Sequence, residues 1–400
     1  MPQTKTFDEL AVFGGTPRFS RTLHVGRPNI ADVDGFYLRL HDALQRRWLT
    51  NDGRYVRQLE EQIASHVGAR HAIAVCNATL GLQLVAKAAG LTGEVIVPSF
   101  TFIATAHAFS WIGLKPVFAD VAPGSHNIDP AHAESLITPR TSAIAGVHLW
   151  GQPCDVEALS AIARLHGLAL LFDAAHALGA SHGGRMIGGY GLAEVFSLHA
   201  TKFVNALEGG VICTGDDALA DRLRQMRDFG YDDRDEIVSV GINAKMDEAS
   251  AAMGVGNMDC IEELIGVNRR NWLAYERGLQ DVPGVRLRTF DRNERNNYQY
   301  IVLEVDPAET GISRDVLLAI LEAENVSARR YFYPGVHRCQ PYAADRATSL
   351  PVTERLVERV MQLPTGTDVS EEEATRLAAL VSEIVQNGPE IQRRLAGPNA

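Results

Sequence analysis

The sequence predicts an α/β fold with a mostly parallel central sheet flanked by helices and a smaller C-terminal α+β domain. Three observations carry this prediction. Apolar runs recur through the first half, at HAIAVC (71–76), GEVIVP (93–98), KPVFAD (115–120), TSAIAGVHL (141–149), LALLFD (168–173), EVFSL (194–198) and GGVICT (209–214). Runs without polar alternation suit strands buried on both faces. Helix-like segments such as DVEALSAIARLHG (155–167) and DALADRLRQMRDF (217–229) lie between them, as crossovers between parallel strands require. After about residue 245 the texture changes to a long helical stretch, two strand-like runs and more helices. The 400 residues, 46% hydrophobic and 22% charged, suffice for one large core and a smaller second unit.

Taken in order, residues 1–30 are mixed and rich in Gly, Pro and Arg, and read as an N-terminal arm lying on another surface. Residues 31–250 read as the large domain. It opens with a helix near 32–48, then the helix VRQLEEQIASHVG, the strand HAIAVC, and a helix that the Asn77 side chain can cap. Residues 251–400 read as an interdomain helix and a small α+β domain. Its elements are a long helical stretch from Asp247 to about Gln280, strands at GVRLRTF (284–290) and YQYIVLEV (298–305), and a helix at SRDVLLAILEAEN (313–325). An aromatic stretch, RRYFYPGVH (329–337), precedes closing helices at 353–362 and 370–386, and the polar tail from Gly388 reads as frayed, at least in its last residues. There is no internal repeat.

The net charge of -11 argues against a nucleic-acid or anionic-membrane partner, since such surfaces attract clustered Lys and Arg. The five cysteines are odd in number and widely spaced, as in reduced proteins. No run approaches the roughly 20 apolar residues of a spanning helix. The expectation is a soluble cytoplasmic protein.

In a parallel sheet, ligands bind beyond the C-terminal strand ends. There the sequence places Asn77-Ala78-Thr79 after HAIAVC, SFTFIAT after GEVIVP, Asp173 with AAHA after LALLFD, and His199-Ala200-Thr201-Lys202 after EVFSL. This set matches the needs of pyridoxal phosphate (PLP). A helix start at Ala78 and Thr79, with Ser197 nearby, suits a phosphate. Phe102 or His176 could face the pyridine ring. Asp173 suits the ring nitrogen, whose protonated form a buried carboxylate stabilises. Lys202 suits the aldehyde as a desolvated amine. Taken singly, most of these residues have ordinary structural readings, as a helix start, a core aromatic, a hydrogen-bonded histidine or a solvated lysine. Their joint order carries the inference. No GxGxxG or Walker loop follows the first strand, no Cys/His cluster has zinc spacing, and no GxSxG elbow occurs, so nicotinamide, metal and serine-hydrolase chemistry lack support.

Over nearly its whole length the chain resembles the DegT-like nucleotide-sugar aminotransferases of PLP fold type I. The segments that carry the resemblance are FGGTP, WLTNDGRYVRQLEEQIA, NATLGLQL, VPSFTFIATAHA, GVHLWGQPCDV, FDAAHALGA, FSLHATKFVNALEGG, GINAKMDEASAAMG and RRYFYPGVHRCQPY, above all FDAAHALG with FSLHATK. The resemblance implies a Schiff base at Lys202, a contact from Asp173 to the pyridine nitrogen, and His176 against the cofactor. It implies phosphate contacts from Ala78, Thr79 and Ser197, and stacking by Phe102. Asn243 would reach the phosphate of a second subunit, in a homodimer with shared active sites. Lys245 stands where the family usually has Arg, which keeps the charge without the bidentate fork, and Ala78 often stands as Gly.

The activity so implied is transfer of an amino group from L-glutamate, through pyridoxamine phosphate, to a nucleotide-linked keto sugar. C4 of a TDP-4-keto-6-deoxyhexose is favoured, as in deoxysugar assembly for natural products. A C3-keto sugar, a cyclitol ketone and a sugar dehydratase are alternatives. So is a regulatory or partner subunit, which would be expected to lack Lys202 or Asp173. For the pyrophosphate the cationic candidates are Lys245, Arg329 and Arg330, with Tyr331, Tyr333 and His337 close by in sequence for sugar or base contacts.

Overall fold

The computed structural model describes residues 9–343 and 348–396. The first eight residues of the arm and the last four of the tail lie outside the described residues. The apolar runs form the strands β1 (His71–Val75), β2 (Glu94–Pro98), β3 (Lys115–Ala119), β4 (Thr141–Val147), β5 (Ala169–Asp173), β6 (Ala193–Ser197) and β7 (Gly210–Thr214). They make one sheet in the order β1-β7-β6-β5-β4-β2-β3. All neighbours are parallel except β7, which is antiparallel to both β1 and β6. Both faces are covered. Ala72, Ala74, Phe196, Val211 and Cys213 join one apolar cluster, while Ile73, Val75, Val195 and Ile212 join the cluster on the other side. This is the period of two expressed in uniformly apolar strands.

A three-stranded antiparallel sheet, β8 (Val285–Leu287), β9 (Ile301–Val305) and β10 (Val360–Leu363), forms the second unit with β9 in the middle. The expected closing helix at 353–362 is corrected here: it spans Pro351–Arg359, and its last residues belong to β10. Every residue of β10 is buried, so the VMQL run carries no alternation that would separate it from the helix before it. The long helical stretch from Asp247 is built of two helices, Glu248–Asp259 and Ile261–Leu279, broken at Cys260. Neither Gly nor Pro marks the break. The first is buried almost all round within the large unit, whereas Trp272 and Tyr275 of the second lie in the small unit's core. The tail is ordered further than its polarity suggests, as a helix Gly388–Ala396 anchored by buried Ile391.

The N-terminal arm lies on the small unit. Leu10, Phe19 and Leu23 are buried in that unit's core, and Leu23–His24 pairs in parallel with Val326–Ser327. The buried Glu324 carboxylate accepts the backbone N–H groups of Ala11 and Arg18, each at 2.6 Å. Past this anchor the arm turns toward the large sheet. Asn29 accepts from Thr367 N–H and donates to the Phe203 carbonyl, which ties both units together. Among the described residues no helix is long and apolar enough to cross a membrane.

Candidate active site

A cavity of about 700 Å³ opens where the C-terminal ends of β4, β5 and β6 meet the start of β7. Its floor comes from the large sheet: Asn77, Ala78, Thr79, Thr101, Phe102, Asp173, His176, Ser197 and Lys202 line it. Its roof comes from elsewhere, with Val25–Arg27 of the arm and Gln299, Tyr300, Arg329, Tyr331 and Gln362 of the small unit.

Lys202 follows β6 by one tight turn, closed by its N–H to the His199 carbonyl at 2.8 Å. Its Nζ donates to the Tyr300 hydroxyl at 3.0 Å. Burial lowers the amine's pKa to about 8, with the Asp173 charge working in the opposite sense. A lysine so placed is neutral in part near physiological pH, which a nucleophile or base requires. Asp173 ends β5, buried, and both its oxygens are held: Oδ2 accepts from Thr105 Oγ1 at 2.6 Å, and Oδ1 from Ala175 N–H at 3.0 Å.

His176 is buried between aromatic rings. Trp150 stacks on it at 5.6 Å and Tyr300 lies at 4.4 Å. Burial, reinforced by the Lys202 charge, holds the imidazole well below its usual pKa, so it is neutral at pH 7. Its Nδ1 accepts from Trp150 N–H at 3.2 Å, which leaves the proton on Nε2. Trp150 reaches this position with a φ of 61°, a backbone region that bulky residues rarely occupy.

At the other end of the floor the helix Ala78–Ala88 begins. Asn77 caps it by accepting from Leu80 N–H at 2.9 Å, so the N–H groups of Ala78 and Thr79 have no partner within the helix. Gly210, at the start of β7, lets this terminus sit close to the sheet: a Cβ there would lie 2.6 Å from the Ala78 nitrogen. Ser197 ends β6 beside it on the cavity wall. An anion-binding helix start, a lysine of lowered pKa and a clamped carboxylate on one floor fit the phosphate, aldehyde and ring nitrogen of PLP.

The structure thus gathers Ala78, Thr79, Phe102, Asp173, His176, Ser197, Lys202 and Tyr331 around one cavity, together with Arg329. It does not bring Asn243, Lys245, Arg330, Tyr333 or His337 there within this chain. Asn243 is exposed, paired by a single bridge to Asp228. Lys245 pairs with Asp228 and lies 4.6 Å from the Phe229 ring centre. Arg330 faces Asp315 at 3.6 Å and stacks over Tyr333, whose ring is exposed. His337 is buried, bonded to Ser99 Oγ at 2.6 Å and Glu354 at 3.2 Å, and ties the segment after the aromatic stretch to β2.

Sequence reasoning missed Tyr300, Trp150, Thr105 and Arg27. One signal was available: the amides Asn296, Asn297 and Gln299 precede the apolar strand β9, and all three are buried. A polar cluster leading into an apolar strand marks a site rather than a solvated loop.

A lysine and a carboxylate so arranged at the strand ends of this sheet define a PLP-dependent aminotransferase. The chain belongs to the DegT/DnrJ/EryC1/StrS aminotransferase family, whose model matches residues 33–382. It is 33% identical over 368 residues to the dTDP-4-amino-4,6-dideoxy-D-glucose transaminase of Escherichia coli, covering 90% of this chain and 98% of that one. A crystal structure of DesI with its TDP-sugar product superposes with a TM-score of 0.94 at 50% identity, covering 98% of this chain and all of that one. The structure of S. venezuelae DesV in complex with a ketimine intermediate gives a TM-score of 0.82 at 30% identity, covering 88% and 94%. The chain is a sugar aminotransferase that uses PLP.

Proposed function

We propose that this enzyme transfers an amino group from L-glutamate to C4 of a TDP-4-keto-6-deoxyhexose. The observation that carries the reading is the Lys202 amine, with a pKa of about 8, on the same cavity floor as Asp173. Likeness to the E. coli dTDP-4-amino-4,6-dideoxy-D-glucose transaminase supports the C4 position, and likeness to the DesI structure with its TDP-sugar supports the TDP carrier.

PLP, when bound, supplies the electron sink and carries the amino group between the two substrates. With PLP bound, Lys202 would hold its aldehyde, and its free amine would take a proton from the donor's α-carbon and, in the second half, deliver one to the sugar carbon that receives the amino group. Asp173 holds the proton of the ring nitrogen, kept in place by Thr105 and the Ala175 N–H. Neutral His176 gives the ring a packed wall without adding a charge, and Phe102 closes the exposed side. Ala78 and Thr79 N–H groups and the Ser197 hydroxyl hold the phosphate. Arg329 and Arg27 bring positive charge to the outer cavity, where a sugar diphosphate enters.

The working form is a homodimer in the cytoplasm with sites built from both chains, Asn243 reaching the phosphate of the partner subunit. Phe229, Tyr231, Ile237, Val238, Val240 and Ile242 support this, since they form an exposed apolar stretch leading to Asn243, and monomers rarely expose such stretches. All five cysteines are free, in keeping with a reducing compartment.

An absorbance scan with product analysis tests the assignment. Purified enzyme with PLP is expected to show a visible band that L-glutamate bleaches and that K202A lacks, and TDP-4-keto-6-deoxyglucose should yield the 4-amino sugar. Amination at C3 would replace the C4 reading, loss of a hydroxyl without amination would replace transamination by dehydration, and no band at all would remove the enzyme reading.

A further inference from the structure

We propose that Tyr300 is a positioning residue that receives the Lys202 amine and aims it whenever that amine is free of the cofactor. This rests on Lys202 being the reactive amine.

The contact itself is direct, with Lys202 Nζ 3.0 Å from the Tyr300 hydroxyl. Among the described residues no other group hydrogen-bonds that nitrogen. Tyr300 is also rigidly placed. Its ring is buried, edge-on to Trp150 at 5.3 Å and tilted on His176 at 4.4 Å, and it leads into β9 of the small sheet. Trp150 is in turn fixed from its far side by Phe332, stacked at 5.1 Å. A lysine side chain has four rotatable bonds, so an unheld amine samples many positions. Here the one polar atom that meets it stands in a cage of rings.

The chemistry of the phenol suits the task. Burial, followed by the neighbouring Tyr331 hydroxyl and the Asp173 charge, pushes its pKa well above 10, so it stays a neutral O–H throughout the working range. A neutral phenol oxygen can accept one N–H from the amine and leave the nitrogen lone pair directed into the cavity. A phenolate would instead pair with the ammonium and hold it protonated. The charged or titratable groups facing the amine are Asp173 from β5, His176 from the loop after it, and Tyr300 and Tyr331 from the small unit. Because Lys202 belongs to the large sheet and Tyr300 to the small one, the bond also makes the amine's position depend on how the two units close on each other.

The direction of the effect follows from the donor. Tyr300 accepts most strongly from the ammonium form, so removing the hydroxyl disfavours that form and lowers the amine's pKa further below about 8. The test compares wild type, Y300F and K202A. In the holoenzyme, the rate of the glutamate half-reaction in wild type should rise with pH as the released Lys202 amine loses its proton, and then level off. In Y300F the plateau should fall by about tenfold with little change in the KM for glutamate, and the rise should move to lower pH. In the cofactor-free full chain, the pH dependence of Lys202 labelling by an amine-selective reagent, located by mass spectrometry, should shift the same way. Y300F retains the ring and should melt within a few degrees of wild type. A visible band present in wild type and absent in K202A, with superimposable Y300F and wild-type profiles in both measurements, overturns the role of Tyr300 alone. A band that persists in K202A overturns the reading of Lys202 instead. If Y300F cannot fold, the hydroxyl serves stability and the proposal falls.

Discussion

At the scale of single residues the site is a set of held polar atoms, and Asp173 shows what holding accomplishes. Both oxygens accept hydrogen bonds, from Thr105 and from the Ala175 N–H, and a carboxylate is the group that can accept both while keeping a charge. Asparagine at this position has nearly the same shape, but its amide places a donor against one of two donors and carries no charge for the ring nitrogen. D173N is therefore expected to bind PLP and yet lose about 100-fold or more in the glutamate half-reaction, a magnitude typical of removing a proton-holding group. Stopped-flow decay of the visible band measures it, and a rate within a few-fold of wild type would remove Asp173 from its assigned role. Asp173 and Lys202 were legible in the sequence because the first ends an apolar run and the second follows one by a single turn, and strand ends are where ligands meet a parallel sheet. The 329–337 stretch was not legible in the same way. Its neighbours in sequence part in space, with Tyr331 turned into the cavity, Arg330 turned to Asp315 and His337 buried against Ser99.

At the scale of elements, the helix beginning at Ala78 and the strand β7 form a unit whose spacing depends on one missing side chain. A Cβ on Gly210 would press within 2.6 Å of the Ala78 nitrogen and 2.7 Å of the Asn77 carbonyl carbon. Both belong to backbone, which cannot rotate away, so the helix start must shift. G210A is expected to lose about 1–3 kcal/mol of stability through overpacking. Because the displaced atoms carry the N–H groups proposed to bind the phosphate, PLP affinity should fall by about tenfold or more as well, each factor of ten being about 1.4 kcal/mol. Thermal melting and a PLP titration measure the two effects, and a variant that loses stability with unchanged affinity would separate the helix start from the phosphate. The sequence foretold the helix through Asn77 and the strand through GGVICT. It did not foretell that β7 runs antiparallel, since a buried strand reads the same in either direction. For a like reason β10 merged into the helix before it, and the break at Cys260 passed unseen.

At the scale of the whole molecule, the cavity gathers its walls from three parts of the chain that are far apart in sequence, the arm, the large sheet and the small sheet, and of the five predicted contributors that lie outside it Asn243 is the one assigned to a second chain. Asn243 is exposed at the end of a stretch that presents Ile237, Val238, Val240 and Ile242 to the surface. If that stretch packs on a second copy, the amide can serve the other copy's phosphate, and this has a consequence that a self-contained site lacks. N243D would place a carboxylate against the phosphate, and K202A would remove the reactive amine, so each homodimer should be nearly inactive. In a mixed dimer, the site that keeps Lys202 is the one on the N243D chain. With sharing across the interface, that site receives Asn243 of the partner subunit, here the unaltered one of the K202A chain, and is complete. Without sharing it keeps its own aspartate and stays inactive. Co-expressing the two variants with different affinity tags and isolating doubly tagged protein should therefore restore up to about half of the wild-type activity per dimer, one site of two being whole. Doubly tagged dimers that stay as inactive as either parent would show that each chain builds its phosphate site alone, and a protein that sediments as a monomer would remove the partner altogether.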